Sequence, residues 1–286
     1  MPSTISALTL VALLAALTLY LGASVLLRRS LPGGRYLRLT WLFLLALVVA
    51  AELSLAAALW FLAVVCFWAL REYFSLVELR LQDRLGLLGG YLSIPFMITF
   101  IQQQWYGMFI VSIPVYAFLA IPLLVTLGGR ERRGTVVSVA IINFGLFLCV
   151  YCLGHIGYLM LYSPWMAAML IIDVATCDAA FWVLREKPFR AGLNLLARFL
   201  LPLPFTIALN LLLGPWTEIP PTHGIALAAL IPALAIVGRH TIDCVQIDLG
   251  IRDATTRTHH ARTIDRLESL FYAAPVVFHY IRYYLK

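Results

Sequence analysis

Charged side chains are scarce in this sequence, and their scarcity excludes an ordinary soluble protein. Only 12% of the 286 residues are Asp, Glu, Lys or Arg, against about 25% in a typical soluble domain. Hydrophobic residues make up 62% of the chain, and the mean hydropathy is +0.91. This composition predicts an integral membrane protein with an all-α fold, in which residues 1–286 form a single polytopic domain.

The sequence also lacks the marks of a disulfide-bonded or processed protein. Its five cysteines are an odd number for a disulfide framework. Cys149 and Cys152 have redox spacing, but they lie in an apolar run without a strand–helix context, so we interpret them as small buried residues. The first apolar run, 5–27, has no basic residue before it and no cleavage site after it. We expect it to remain as a membrane span.

Apolar runs that could cross a bilayer recur along the chain, and one crossing needs about 20 residues. A helix over 39–70 would be ~48 Å long and the hydrocarbon core is ~30 Å thick, so we divide this run near Ser54 into two short helices. The stretch 71–84 is amphipathic and is expected at the membrane surface. The runs predict about ten spans, at 5–27, the two halves of 39–70, 86–101, 107–127, 135–158, 164–184, 199–213, 225–238 and 267–281.

Lysine and arginine are missing from every second connector. With the N-terminus outside, five basic loops lie on one side of the membrane and carry 19 of the 21 basic residues, at 28–38, 71–84, 128–134, 185–198 and 239–266. The opposite connectors carry none, at 52–54, 102–106, 159–163 and 214–224. Because cytoplasmic loops are enriched in Lys and Arg, the basic loops are expected on the cytoplasmic side of a bacterial inner membrane. We therefore attribute the net charge of +7 to topology and not to nucleic-acid binding.

The segment 239–268 is a polar signature between two apolar runs. Charge beside a bilayer is costly and is a candidate for function. Asp265, at the start of the last span, could hold a divalent metal, and Arg266 could clamp a phosphate. Equally, Asp265 could favour the helix start through the helix dipole while Arg266 contacts lipid headgroups. Both interpretations stay open from these residues alone.

Two further acids lie inside a predicted span. Asp173 and Asp178 are five residues apart, hence about 140° apart around a helix, and do not share one face. They are functional candidates, or one of them pairs with Arg185. His155, between apolar residues and glycines, is expected to be a packed interior histidine.

The polar signature resembles that of the phosphatidate cytidylyltransferase (CDP-diglyceride synthase) family. That family carries K-R-D-x-G-x-K-D, then H-G-G, then D-R-x-D. This chain has D-x-G-x-R-D at 248–253, His260-Ala261-Arg262, and D-R-L-E at 265–268. The resemblance covers about the last half of the chain.

The resemblance implies an enzyme that joins phosphatidate to CTP, giving CDP-diacylglycerol and pyrophosphate, with Mg²⁺ as cofactor. Its partners would be membrane phospholipid and CTP, with no nucleic acid and with a homodimer as the candidate assembly. The implied catalytic residues are Asp248, Arg252, Asp253 and His260. The implied substrate-binding residues are Arg262, Arg266 and Asp178. The implied metal ligands are Asp265 and Asp173, with Asp243 as a substitute ligand.

Three departures from the family pattern support an alternative. Arg239 stands where the family's G-D-L-x-E-S stretch has a metal-binding Asp, residues 188–194 lack the S-P-K-K-T core, and Gln246-Ile247 replaces Lys-Arg. The alternative is a catalytically impaired paralogue that binds lipid headgroups or a partner, in which the Arg239 cation takes the place of a metal and pairs with Asp265 or Asp248. A small transporter is the third hypothesis, disfavoured because no inverted halves are visible.

Overall fold

The computed structural model describes residues 53–129, 133–184, 191–249 and 263–286, and all regular secondary structure in these ranges is helical. The predicted span at 5–27 and the first half of the 39–70 hairpin lie outside the described residues. The same is true of 250–262 within the polar signature.

Nine helices make up the described chain. They are α1 (Leu55–Leu76), α2 (Arg84–Gln102), α3 (Tyr106–Leu127), α4 (Thr135–Tyr162), α5 (Pro164–Leu184), α6 (Ala191–Leu200), α7 (Leu203–Thr217), α8 (Pro221–Asp248) and α9 (Thr263–Tyr284). The chain reverses direction at the turns that follow α2, α4 and α7. A 3₁₀ turn, Leu81–Asp83, leads into α2. The Ser54 hydroxyl caps α1 by accepting from the Ala57 amide at 3.0 Å, so the predicted break near Ser54 is confirmed.

Seven helical segments of the described chain are long and apolar enough to span a membrane. They are Leu55–Leu76, Leu81–Gln102, Tyr106–Leu127, Thr135–Tyr162, Pro164–Leu184, Leu193–Thr217 and Pro221–Asp248. These segments match predicted spans three to nine one for one. The prediction of an all-α polytopic membrane bundle is therefore confirmed.

The predicted tenth span corresponds to α9, which runs through the middle of the bundle. It packs against α1, α4, α5 and α8, and it buries Phe271, Ala274, Val277 and Phe278 in the common core. Because protein surrounds much of α9, this helix carries more polar and charged residues than the seven apolar segments do.

The reversals give the described bundle two ends. At one end the Arg80 guanidinium donates to the Arg133 carbonyl, and the Thr263 amide donates to Glu72 Oε2 at 3.1 Å. We call this the basic end, because it includes the described parts of the predicted basic loops. The turns that join α2 to α3, α4 to α5 and α7 to α8 lie at the opposite end.

Two predicted boundaries near the basic end are wrong. The span predicted to end at residue 70 continues as α1 to Leu76 and buries Tyr73. Asp83 is fully buried and accepts from Ser138 Oγ at 2.7 Å and from Arg80. The predicted span 225–238 continues as α8 to Asp248, so the first ten residues of the predicted polar signature are helical.

Two helices contain π turns, which widen the helix locally. The turn in α3, Ser112–Ala117, includes Pro114, which has no amide hydrogen to donate. The turn in α4, Phe147–Cys152, includes Cys149 and Cys152. Both cysteines are buried free thiols, as predicted.

Candidate functional site

The last turns of α8 direct polar side chains into the bundle at the basic end. Arg239, Asp243 and Gln246 follow one another at spacings of four and three, which places them on one side of the helix. Ile242 and Gln246 are buried, so this side faces protein.

The first turns of α9 meet this side of α8. Asp265 and Glu268 are three residues apart, and therefore neighbours on one helix face. The Gln246 carboxamide donates to Asp265 Oδ1 at 3.1 Å and to Glu268 Oε1 at 3.5 Å. One side chain of α8 thus links both carboxylates of α9.

Arg239 lies between carboxylates of two other helices. Its guanidinium is 3.0 Å from Asp178 Oδ1 on α5, and its Nε is 3.9 Å from Glu268 Oε2 on α9. The Ser269 hydroxyl donates to the same Asp178 oxygen at 2.7 Å. The Asp178 and Glu268 side chains are only 3% exposed, so a cation here offsets the cost of burying their charges.

These contacts, together with the electrostatic influence of Asp243 on Glu268, define one carboxylate cluster. It is formed by Asp178, Arg239, Asp243, Gln246, Asp265, Glu268 and Ser269. Glu268 lies within the electrostatic influence of one cation, Arg239, and of three carboxylates. A buried excess of carboxylates is an environment that attracts a further cation.

Mg²⁺ binds through one or two carboxylates and completes its octahedron with waters and phosphate oxygens. Asp243 on α8 and Asp265 on α9 are carboxylates of this kind. No group of three or more His, Cys, Asp or Glu side chains within the described ranges is arranged to hold a metal by itself.

Two arginines approach one aromatic ring beside the cluster. The guanidinium carbons of Arg239 and Arg198 lie 4.8 Å and 5.6 Å from the centroid of Phe181. Such cation–π contacts hold a guanidinium in place while leaving its N–H groups directed outward. Arg198 belongs to the short helix α6, which exposes Leu195 and Leu196. Residues 191–198 were predicted to belong to the basic loop 185–198, and the structure shows them in an amphipathic helix.

Gly238 allows α8 and α9 to approach at the cluster. A Cβ atom there would lie 2.7 Å from the Glu268 carbonyl oxygen, and a backbone atom cannot move away as a flexible side chain can. The glycine therefore allows Arg239, the next residue in the chain, to lie close to Glu268.

The structure brings three of the predicted site residues together and separates others from them. Asp178, Asp243 and Asp265 belong to the carboxylate cluster. Arg266 follows Asp265 in the first turns of α9 and is half-buried. Asp248 is exposed at the last residue of α8.

Asp173 lies apart from the cluster, deeper in the bundle. It is fully buried and accepts a 2.6 Å hydrogen bond from the Asn210 carboxamide on α7. Asn210 also donates to the Thr206 carbonyl at 2.8 Å, which ties Asp173 to the backbone of α7. The structure therefore shows Asp173 in a contact between α5 and α7, not beside Asp265.

The remaining predicted site residues, Arg252, Asp253, His260 and Arg262, lie outside the described residues. Arg239 was expected to pair with Asp265 or Asp248. Asp178 and Glu268 pair with it instead.

Sequence reasoning did not select Glu268, Gln246, Ser269 or Arg198 as site residues. Helical spacing carries a signal for two of them, since Gln246 follows Arg239 by seven residues and Glu268 follows Asp265 by three. The signal was obscured because residues 239–248 were interpreted as a polar loop. No comparable sequence pattern identifies Arg198 or Ser269.

Comparison with known proteins shows a distant relative but no family. No family model matches the chain. It is 24% identical over 242 residues to the "Uncharacterized protein YnbB" of Escherichia coli (strain K12), and the match covers 78% of each chain. The similarity thus extends over most of both proteins, and the relative's name states no activity.

Proposed function

We propose that this chain is a membrane nucleotidyltransferase of the phosphatidate cytidylyltransferase type, making CDP-diacylglycerol for phospholipid synthesis. The observation that carries the proposal is the convergence of four carboxylates from α5, α8 and α9 at one end of a membrane bundle. The sequence resemblance gives two of them, Asp178 and Asp265, a role in binding substrate or metal, and Asp243 is the substitute ligand in place of the family's missing carboxylate.

In the proposed reaction a phosphate oxygen of phosphatidate attacks the α-phosphorus of CTP. The new oxygen–phosphorus bond forms while the bond from the α-phosphorus to the bridging oxygen breaks, and pyrophosphate leaves. Phosphoryl transfer of this kind depends mainly on positioning and charge stabilisation. Bound Mg²⁺ would neutralise phosphate charge, with Asp265 and Asp243 as its protein ligands. Arg266 and Arg198 would supply guanidinium groups to phosphate oxygens.

The proposal places the basic end in the cytoplasm of a bacterium, where CTP is available. The distribution of Lys and Arg between the predicted loops supports this orientation. The lipid substrate would reach the carboxylate cluster from the inner leaflet. The exposed leucines of α6, next to Arg198, suit that boundary between membrane and water.

The Arg239–Asp178 pair favours a second candidate function, a membrane protein that binds lipid phosphate or a partner without catalysis. The Arg239 cation already pairs with two of the four carboxylates. A protein that needs no metal could retain Arg198, Arg266 and a stable bundle for headgroup binding.

An incorporation assay separates the two candidates. Purified protein in phosphatidate-containing nanodiscs is incubated with labelled CTP, with and without Mg²⁺. The first candidate predicts Mg²⁺-dependent labelled lipid, lost in Asp265→Asn and kept in Glu218→Gln, an exposed acid at the opposite end. No labelled lipid from the wild type, together with retained phosphatidate binding, would support the second candidate. If wild type neither turns over CTP nor binds phosphatidate, the catalytic candidate and the lipid-binding form of the second candidate are both wrong.

A further inference from the structure

A second polar cluster lies at the opposite end of the bundle, between α3, α4 and α9. The Arg282 guanidinium donates to the Tyr162 hydroxyl at 3.0 Å, and its carbon lies 3.6 Å from the centroid of the Tyr106 ring. One turn earlier on α9, His279 Nδ1 is 3.4 Å from the Tyr106 hydroxyl. Along α9, Arg282 is about 21 Å from Glu268, so the two clusters are separate.

These four side chains lie together where α3, α4 and α9 meet, at the surface of the described bundle. His279 is exposed, while Tyr106, Tyr162 and Arg282 are half-buried. His155 and Tyr158, both on α4, lie behind them and pack against the ring of Phe278 at centroid distances of 5.3 and 5.5 Å. We call the set the aromatic groove; it comprises Tyr106, His155, Tyr158, Tyr162, His279 and Arg282.

The two buried members of the groove each have a polar atom without a hydrogen-bond partner in the described chain. His155 is fully buried, and its Nδ1 lies 2.8 Å from the Tyr151 carbonyl of its own helix. A carbonyl only accepts, so Nδ1 carries the proton and Nε2 is an unpaired acceptor on the side of the ring away from that contact. The Tyr158 hydroxyl, on a side chain 3% exposed, is also unpaired. A buried donor or acceptor without a hydrogen-bond partner lowers stability, unless a ligand supplies the missing partner. His155 is thus an interior residue, as expected, but its Nε2 lacks a hydrogen-bond partner among the described residues.

The cation of the groove has no carboxylate partner among the described residues. None of the ion pairs between described side chains includes Arg282. Lys286, four residues further along, pairs with Glu218 at 3.4 Å. A half-buried guanidinium at the edge of a membrane is favourable when an anion is close to it.

We propose that the aromatic groove binds the headgroup of an anionic phospholipid from the leaflet opposite the carboxylate cluster. Arg282 holds the phosphate through charge-assisted hydrogen bonds, and Tyr106 and Tyr162 lie at the depth where aromatic rings meet headgroups. A hydroxyl on the headgroup donates to His155 Nε2. The preferred lipid is therefore a phosphate diester that carries hydroxyl groups, such as phosphatidylglycerol. This inference is independent of the proposed enzymatic function.

The test measures lipid binding to the full-length protein in phosphatidylcholine nanodiscs. Phosphatidylglycerol is titrated against wild type, Arg282→Gln, Arg282→Lys and the matched control Lys286→Gln. Because a charge-assisted contact is lost, Arg282→Gln should weaken binding by about tenfold or more. Lys286→Gln should bind like wild type, and Arg282→Lys should fall between. A melt of each variant without added lipid shows that it is folded.

A second comparison tests the hydroxyl contact. Phosphatidylethanol has the same diester and charge but no hydroxyl on its headgroup. Wild type should prefer phosphatidylglycerol, and His155→Phe should abolish that preference while leaving phosphatidylethanol binding unchanged.

Three results would overturn the proposal. The first is equal binding of phosphatidylglycerol by Arg282→Gln and Lys286→Gln. The second is binding of phosphatidylglycerol no tighter than that of phosphatidylcholine. The third is displacement of the lipid by an equal concentration of soluble glycerol 3-phosphate, which would assign the groove to a soluble phosphate ester. If Arg282→Gln does not fold, Arg282→Lys and Tyr162→Phe replace it, since both alter the same contact and keep its bulk.

Discussion

Removal of the Arg239 charge should destabilise the bundle far more than removal of an exposed ion pair. Arg239→Met keeps an apolar stem against Phe181 and leaves the Asp178 and Glu268 carboxylates, each 3% exposed, without their cation. Breaking a buried ion pair by removing one partner costs roughly 3–5 kcal/mol. Because the Arg239 side chain is 18% exposed and water screens it in part, we expect the lower limit, about 3 kcal/mol.

The measurement is a thermal melt in detergent micelles, compared with a matched ion pair. For a chain of this size, about 3 kcal/mol corresponds to a fall in melting temperature of roughly 6–12 °C. Lys286→Met breaks the pair with Glu218, whose side chains are 32% and 78% exposed, and should cost less than ~1 kcal/mol.

A double-mutant cycle then isolates the pair itself. Adding Asp178→Asn to Arg239→Met should recover part of the lost stability, because the amide needs no counter-ion. Equal melting temperatures for Arg239→Met and Lys286→Met would refute the reasoning. Strict additivity in the cycle would show that Asp178 and Arg239 do not interact.

Three further predictions use other features of the structure. Gly238→Ala should lower the melting temperature, because its Cβ would lie 2.7 Å from the Glu268 carbonyl oxygen. The control Gly107→Ala, whose Cβ would have no atom within 4 Å, should leave the melting temperature unchanged. Equal effects of the two substitutions would contradict the close approach of α8 and α9. A reporter after Arg133 should read cytoplasmic and one near Pro221 should read outside; the same side for both would contradict the threading of α4 to α7. Arg239→Asp should melt lower than wild type without Mg²⁺ and regain stability with it; a melt indifferent to Mg²⁺ would exclude Arg239 as a substitute for a metal.

The number and placement of the described spans could be predicted because each is a long run of apolar residues between polar connectors. Ser54 is an example, because a polar residue inside an apolar run too long for one span correctly located the start of α1. The Ser54 hydroxyl caps this helix. The end of α8 was missed because polarity was taken as the end of a helix. Inside a bundle, a helix continues through polar residues wherever neighbouring helices pair with them.

The partners in the carboxylate cluster could not be predicted from the sequence. Arg239 and Asp178 are 61 residues apart, and their contact depends on how α5 and α8 cross. Neither helix has a sequence pattern that fixes this crossing. Gly238 is the local cause of the approach between α8 and α9, but its importance is visible only with the Glu268 carbonyl in place.

The position of Arg239 also determines how a metal could use the cluster. A divalent cation that took Asp178 or Glu268 as a ligand would have to displace a guanidinium bound at 3.0 Å, and so would oppose the stability of the buried pair. Asp243 and Asp265 alone offer two carboxylates, too few to complete the coordination of Mg²⁺. Phosphate oxygens of a nucleotide would supply further ligands. If the chain is the proposed nucleotidyltransferase, Mg²⁺ and nucleotide should therefore bind with positive coupling, each raising the affinity for the other by the same factor. An enzyme built in this way would hold metal tightly only with its nucleotide present, and the Arg239 cation would preserve the folded cluster between turnovers.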